Sequence, residues 1–268
     1  MKKDGHIHTP YCPHGTKDQM KHYINRAIAQ GFTDITFTEH APLPTHFIDP
    51  APAKDSAMKN GDIANYIDEV EQLKQQYKKE LNIHIGLEVD YIEGYEDEIT
   101  AFLNEIGPSI DDAILSVHFL KGETGYHCLD YSPDVFQEMI NEYGSIDAVY
   151  QHYFRTVQKS ILSDLGQYKP TRIGHITLVK KFQKKFPVEQ EFEKELSDIL
   201  NAVKDKHYEL DYNAAGLIKP LCLESYPPAS VAQKAMSMGI PLIYGSDAHQ
   251  AKLVGCGWKK LNSQLQNI

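Results

Sequence analysis

Short apolar runs alternate with longer amphipathic ones along the chain. Seven runs have strand length and composition: Asp4–Thr9, Asp34–Thr38, Ile83–Ile92, Ala113–Phe119, Arg172–Thr177, Tyr208–Tyr212 and Pro241–Tyr244. Between them, apolar residues recur at helical spacing. Met20, Tyr23, Ile24, Ala27 and Ile28 make one stripe, which Gly31 is placed to stop. Ile63, Tyr66, Ile67, Val70, Leu73 and Tyr77 make another. Ser132-Pro133 and Ser145 read as helix starts, because a serine hydroxyl can accept from the free N–H groups of a first turn. Longer helices are expected over about 146–165 and 189–206. Seven strands alternating with helices predict an α/β fold with a parallel sheet. At 268 residues, closure into a TIM-like barrel is the economical arrangement, and an open doubly wound sheet is the alternative. No linker or internal repeat interrupts the pattern, so a single domain over 1–268 is expected. One segment departs from it. Ala41–Gly61, with Pro42, Pro44, Pro50 and Pro52, directly follows the second strand and reads as a binding loop or lid.

Charge narrows the partners. The chain carries a net charge of −10, which disfavours a nucleic-acid backbone as ligand. The cluster Lys180-Lys181 and Lys184-Lys185 reads as a solvated helix face in that context. No apolar run is long enough for a membrane span, and no apolar signal core follows Met1, so a cytoplasmic location is expected. Cys12, Cys128, Cys222 and Cys256 are far apart with no C-x-x-C pair, which argues against a disulfide framework or a thiolate zinc site. The unusual count is histidine, at 13.

Those histidines are not scattered. His6 and His8 end the first strand two residues apart, so both rings face one side. The second run ends in Glu39-His40, the third reaches Glu88, the fourth ends at His118, and the fifth leads into His175. The last ends in Asp247-Ala248-His249, and His14 lies in the loop after the first strand. In a parallel barrel the carboxyl ends of the strands share one face, and that face carries the chemistry. Seven imidazoles and two carboxylates crowded there conflict unless metal ions take their lone pairs. His22, His84, His152 and His207 sit on helices or at the opposite strand ends and read as structural. His46 and His127 are in loops on the active face and are candidates to touch substrate.

The ordered set Asp4-Gly5-His6-Ile7-His8-Thr9-Pro10, Cys12-Pro13-His14-Gly15, Phe37-Thr38-Glu39-His40-Ala41-Pro42, Gly86-Leu87-Glu88-Val89-Asp90, Leu115-Ser116-Val117-His118, Gly174-His175 and Gly245-Ser246-Asp247-Ala248-His249 resembles the polymerase and histidinol phosphatase (PHP) family. The likeness spans Asp4 to about Gly255 and is greatest to the monofunctional phosphatases of histidine biosynthesis. It implies a distorted seven-stranded (β/α) barrel with three divalent metal ions. By position, His6, His8, Glu88 and Asp247 would hold one ion. Glu88 would bridge to a second, completed by His118 and His175. His14, His40 and His249 would hold the third. Glu39 is not a ligand of the family pattern and is left to support the ligands.

The resemblance further implies hydrolysis of L-histidinol phosphate to L-histidinol and phosphate. Attack would come from a metal-bridging hydroxide, with Glu88, His118 and Asp247 at the reacting centre. Asp247 or a metal-bound water would protonate the leaving alkoxide. Arg155 and Lys219 are the candidate phosphate-binding cations, while Arg172, at the start of its strand, reads as structural. Imidazole-rich sites accept zinc, iron or manganese. The expected partner is a small phosphomonoester, with neither nucleic acid nor membrane, and a homo-oligomer is compatible with this reading. Two alternatives are another phosphoesterase of the family, acting on nucleotides or nucleic acid, and a non-catalytic metal-binding scaffold. An amidohydrolase barrel shares the opening H-x-H but commonly needs a metal-bridging lysine, where this third strand offers Glu88.

Overall fold

A computed structural model describes residues 2–266. Seven strands form one parallel sheet: β1 (Lys3–Ile7), β2 (Asp34–His40), β3 (Asn82–Asp90), β4 (Asp112–Ser116), β7 (Arg172–Ile173), β8 (Glu209–Asn213) and β9 (Leu242–Gly245), in that spatial order. A small antiparallel hairpin, β5 (Phe119–Lys121) with β6 (Tyr126–Cys128), extends beyond β4. The helices are α1 (Met20–Ala29), α2 (Ile63–Tyr77), α3 (Glu96–Ile106), α4 (Pro133–Tyr143), α5 (Ile146–Leu162), α6 (Glu193–Asp205), α7 (Ala229–Ser237) and α8 (Trp258–Gln266).

The sheet curls into a nearly closed, distorted (β/α) barrel. Its seam lies between β1 and the residues just past β9. There Asp247 N–H donates to His6 O at 2.8 Å and His8 N–H to Ala248 O at 3.1 Å. Asp4 fastens the same seam from below, accepting from the N–H groups of Ser246 (2.9 Å) and Gly255 (3.1 Å). Burial pushes its carboxyl up to about 6, against the pull of those donors.

Local chemistry places the elements. The serines expected at helix starts do cap: Ser132 Oγ accepts from Val135 N–H and Ser145 Oγ from Ala148 N–H. Gly31, at φ 74°, ends α1 in the left-handed region that a side chain would strain. Elsewhere the bounds shift. The helix expected from 189 begins at Glu193, after an irregular stretch that follows Pro187. The one expected to reach 165 stops at Leu162. The fourth and fifth runs leave the sheet at Ser116 and Ile173, short of their histidines, so His118 and His175 stand on chain that has turned free of the ladder. The 41–61 segment is irregular but packed: Phe47 lies against Tyr95, Phe119 and Tyr126.

At the amino ends of the strands, Arg172 is buried. It donates to Gly5 O at 2.9 Å, pairs with Asp112, and has Glu209 3.6 Å away. Lys3 Nζ and Thr36 Oγ1 each donate to Asp112 Oδ2 at 2.9 Å. No helix among the described residues is long and apolar enough to cross a membrane.

Candidate metal centre and active site

All nine expected donors come to the carboxyl end of the barrel, and they fall into groups. His6 Nε2 lies 3.2 Å from His8 Nε2, 3.3 Å from Glu88 Oε2 and 3.8 Å from Asp247 Oδ1. His8 Nε2 lies 3.4 and 3.2 Å from the same two oxygens. Four donors about 2.1 Å from a common cation at tetrahedral angles stand roughly 3.4 Å apart, so this spacing fits one ion. The other Glu88 oxygen, Oε1, faces a second group: His175 Nε2 at 3.0 Å and His118 Nε2 at 3.8 Å. A third group stands at the rim, where His14 Nε2 and His249 Nε2 are 3.1 Å apart. His40 sits between the groups, its Nδ1 3.2 Å from Glu88 Oε2 and its ring against those of His8, His14 and His249. Neither His40 ring nitrogen makes a hydrogen bond. Buried imidazole nitrogens and carboxylate oxygens gathered at these spacings could hold metal ions.

The rings are held from behind. The nearest partner of five of the Nδ1 atoms is an oxygen acceptor, so those nitrogens carry a hydrogen and Nε2 is the atom turned to the centre. His6 donates to Asp211 Oδ2 (2.8 Å), His118 to Asp90 Oδ1 (2.7 Å), His8 to Glu39 Oε1 (3.4 Å), His14 to Asp55 O (2.8 Å) and His249 to Asp247 O (3.1 Å). Glu39 is fixed in turn by the Thr9 and His40 N–H groups, the supporting role expected of it. Ser116 Oγ donates to Glu88 Oε1 at 2.6 Å, and Asn213 Nδ2 to Asp247 Oδ2 at 3.1 Å. Asp247 occupies the left-handed region at φ 53°, which an aspartate tolerates and which aims its carboxylate at His8. Gly245 leaves the room this requires: a Cβ there would sit 2.6 Å from His6 Cβ and 2.5 Å from Asp211 Oδ1.

Electrostatics follow the same division. Burial drives the imidazoles of His40 and His249 well below their usual range, and nearby His8 adds to it. At His6, His8 and His118 burial also opposes charge, but the carboxylates win. Asp211 and Glu88 hold His6 well up, Asp247 and Glu39 take His8 to about 9, and Asp90 and Glu88 take His118 to about 10. Glu88 and Asp247 resist burial in turn, held well below the carboxylate range with His6 the leading cause. Protons on these rings balance the carboxylates where cations would otherwise do so, so a divalent ion that binds here displaces protons.

Seven of the nine donors, all but His6 and His8, line a cavity of about 360 Å³, the size of a small-molecule site. Its wall includes Asp55 and Ser56 from the proline-rich loop, Phe119 and Cys128 from the hairpin, and Asp130, Tyr131, Lys181, Lys219 and Tyr226. Lys219 is therefore where the sequence placed it. Arg155 is not: it is exposed on the outer side of α5, whose buried stripe runs through Tyr153, Thr156, Val157 and Ser160. Lys181 stands in the cavity instead. The 180–185 lysines are thus not a plain solvated face, because a 3₁₀ turn over Leu178–Phe182 points Lys181 inward, where it donates to Asp130 Oδ2 at 2.7 Å. His46 pairs with Glu98 at 3.1 Å and His127 with Glu142 at 2.5 Å, both outside this cavity.

Sequence reasoning missed Asp90, Asp211, Asn213, Asp130 and Cys12. The first three carried a signal, since polar residues at alternate positions near the end of a buried strand face the barrel interior. Cys12, buried and free, brings its sulfur near the donor atoms of His8, His40 and His249.

Comparison with known proteins gives the family and bears out the fold. A family model described as the PHP domain matches residues 4–215. A histidinol-phosphatase of Bacillus subtilis is 50% identical over 97% of this chain and 97% of its own. The hisK structure from Listeria monocytogenes superposes with a TM-score of 0.94 at 40% identity, covering 97% of this chain and 99% of that one. A Lactococcus lactis histidinol phosphate phosphatase, solved with zinc, L-histidinol and phosphate, shares the fold at a TM-score of 0.72 and 20% identity, covering 98% of this chain and 93% of that one.

Proposed function

The chain belongs to the PHP-domain family, and from that premise we propose that it is a metal-dependent phosphatase that hydrolyses L-histidinol phosphate to L-histidinol and phosphate in histidine biosynthesis. The observation that carries the reading is Glu88, whose two oxygens face two separate groups of imidazole lone pairs at the floor of a substrate-sized cavity.

In this reading His6, His8, Glu88 and Asp247 would hold one divalent ion, Glu88, His118 and His175 a second, and His14, His40 and His249 a third. Imidazole and carboxylate donors suit zinc, iron or manganese. Bound divalent cations supply positive charge to phosphoryl oxygens and acidify water, the larger part of what phosphoryl transfer requires. The chain does the rest. Asp211, Asp90 and Glu39 hold the rings in register, so little reorganisation accompanies the reaction. Asn213 pins Asp247 through Oδ2 while Oδ1 lies among the imidazoles, and Asp247 or a metal-bound water would return a proton to the departing alkoxide. Lys219 faces the phosphate from the rim. The 41–61 loop closes one wall and limits water. Four free cysteines suit a reducing cytoplasm.

The test is phosphate release from L-histidinol phosphate and from nucleoside monophosphates, beside elemental analysis of the purified protein. Preferred turnover of histidinol phosphate by a protein carrying two to three metal equivalents is expected. Equal or better turnover of nucleotides, or full activity without metal, overturns the reading.

A further inference from the structure

One carboxylate in the cavity wall has no task in the donor cluster. Asp130 follows β6, its side chain is 21% exposed, and it belongs to none of the groups whose donor atoms lie close enough to share an ion among the described residues. Asp130 Oδ2 accepts from Lys181 Nζ at 2.7 Å. Oδ1 has the weak Cys128 thiol donor, at 3.6 Å, which leaves acceptor capacity unused. Lys181 comes from the turn after His175, so the pair stands beside the second donor group and lines the same space as Glu88 and Asp247. Of the other acids there, Asp90 holds His118, Glu88 and Asp247 sit among the donors, and Asp55 meets the centre through its backbone carbonyl, which accepts from His14.

A fixed carboxylate beside a phosphate dianion weakens binding, and a site built for phosphate alone would be better served by the lysine without it. The pair does suit a ligand with opposite charges on neighbouring atoms. We infer that Asp130 and Lys181 together read the charge pattern of a 2-amino-alkyl phosphate: Lys181 keeps its bond to Oδ2 and turns a remaining N–H to a phosphoryl oxygen, while Oδ1 accepts from the substrate ammonium. The inference rests on the phosphatase reading above and deepens it. The wall selects esters with an ammonium on the carbon next to the phosphate-bearing one, and Asp130 is a specificity-determining residue.

The experiment measures kcat and KM for two matched substrate pairs, with the metal-loaded wild type and with Asp130→Asn. The pairs are L-histidinol phosphate against its deamino analogue, and 2-aminoethyl phosphate against 2-hydroxyethyl phosphate. Asn keeps the shape and can still accept from Lys181, but it loses the charge. The wild type is expected to prefer the amine in both pairs. In Asp130→Asn that preference falls about 10- to 100-fold, chiefly through KM, the scale of one charge-assisted hydrogen bond. A parallel loss on both members of a pair, or no amine preference in the wild type, overturns the inference. If L-histidinol phosphate is not turned over at all, the function reading fails, while the aminoethyl pair still judges Asp130. A second arm needs no variant: L-histidinol should inhibit the wild type at least about tenfold more tightly than its deamino analogue, and equal inhibition counts against the inference.

Discussion

The two ends of the barrel bury comparable chemistry and resolve it in opposite ways. At the amino ends of the strands, Arg172 is enclosed with Asp112, Glu209 and the Gly5 carbonyl, and Lys3 and Thr36 complete the Asp112 carboxylate. Burial alone would raise the Asp112 carboxyl; Arg172 and Lys3 bring it below its ordinary range. Every charge there is answered from within the chain. At the carboxyl ends the same strands turn imidazoles against imidazoles and carboxylates, contacts that the chain alone can balance only with protons on the rings. One end is a finished ion-pair network and the other an unfinished coordination shell. Buried polar groups are therefore informative about function when they fail to satisfy one another.

The contrast breaks if the ends respond alike to mutation. The largest effect expected is at the mouth: Glu88→Gln should lower kcat/KM about 1,000-fold and reduce bound metal, measured by elemental analysis. At the opposite end, Arg172→Met should cost about 3–5 kcal/mol in urea unfolding, because it breaks a buried ion pair and leaves Asp112 with Lys3 as its one cation. The protein that remains folded should keep its metal and its turnover; a loss of metal would erase the distinction. Chelation should lower the melting temperature of the wild type by several degrees, since the ions bind only the folded mouth, and by much less in Glu88→Gln.

The smallest effect concerns Lys169, below the barrel, whose Nζ donates to the Ile161 and Ser163 carbonyls at the end of α5. Burial lowers it to about 8 from 10.5. Between those values the unfolded chain binds the extra proton, so this group adds stability as pH rises from about 8 to 10.5. Urea unfolding of Lys169→Met against wild type across that window should show a shallower rise; identical slopes would refute the assignment.

Much of this was legible before any coordinates. Parallel strands buried on both faces leave unmistakable apolar runs, and a His or an acid at one end of each points to one face. Arg172 announced itself by opening its strand. Arg155 misled because a guanidinium suits phosphate, although the stripe of Tyr153, Thr156, Val157 and Ser160 already placed it on the outer face of its helix. Lys181 was hidden by context: four lysines at helical spacing imitate a solvated face, and only the tight turn after His175 reverses one of them. The hairpin that delivers Asp130 depends on where the fourth strand leaves the sheet, which no local pattern encodes.

The seam has a consequence in time. His6 and His8 are made well before Asp247 and His249, which lie on the far side of the same join. Until the later segment has followed, a nascent chain carries those two imidazoles without the carboxylate and imidazole that stand beside them in the folded barrel. In the proposed reading the first ion site would be complete only once β1 and the segment after β9 have met, so closing the barrel and assembling that site would be one event.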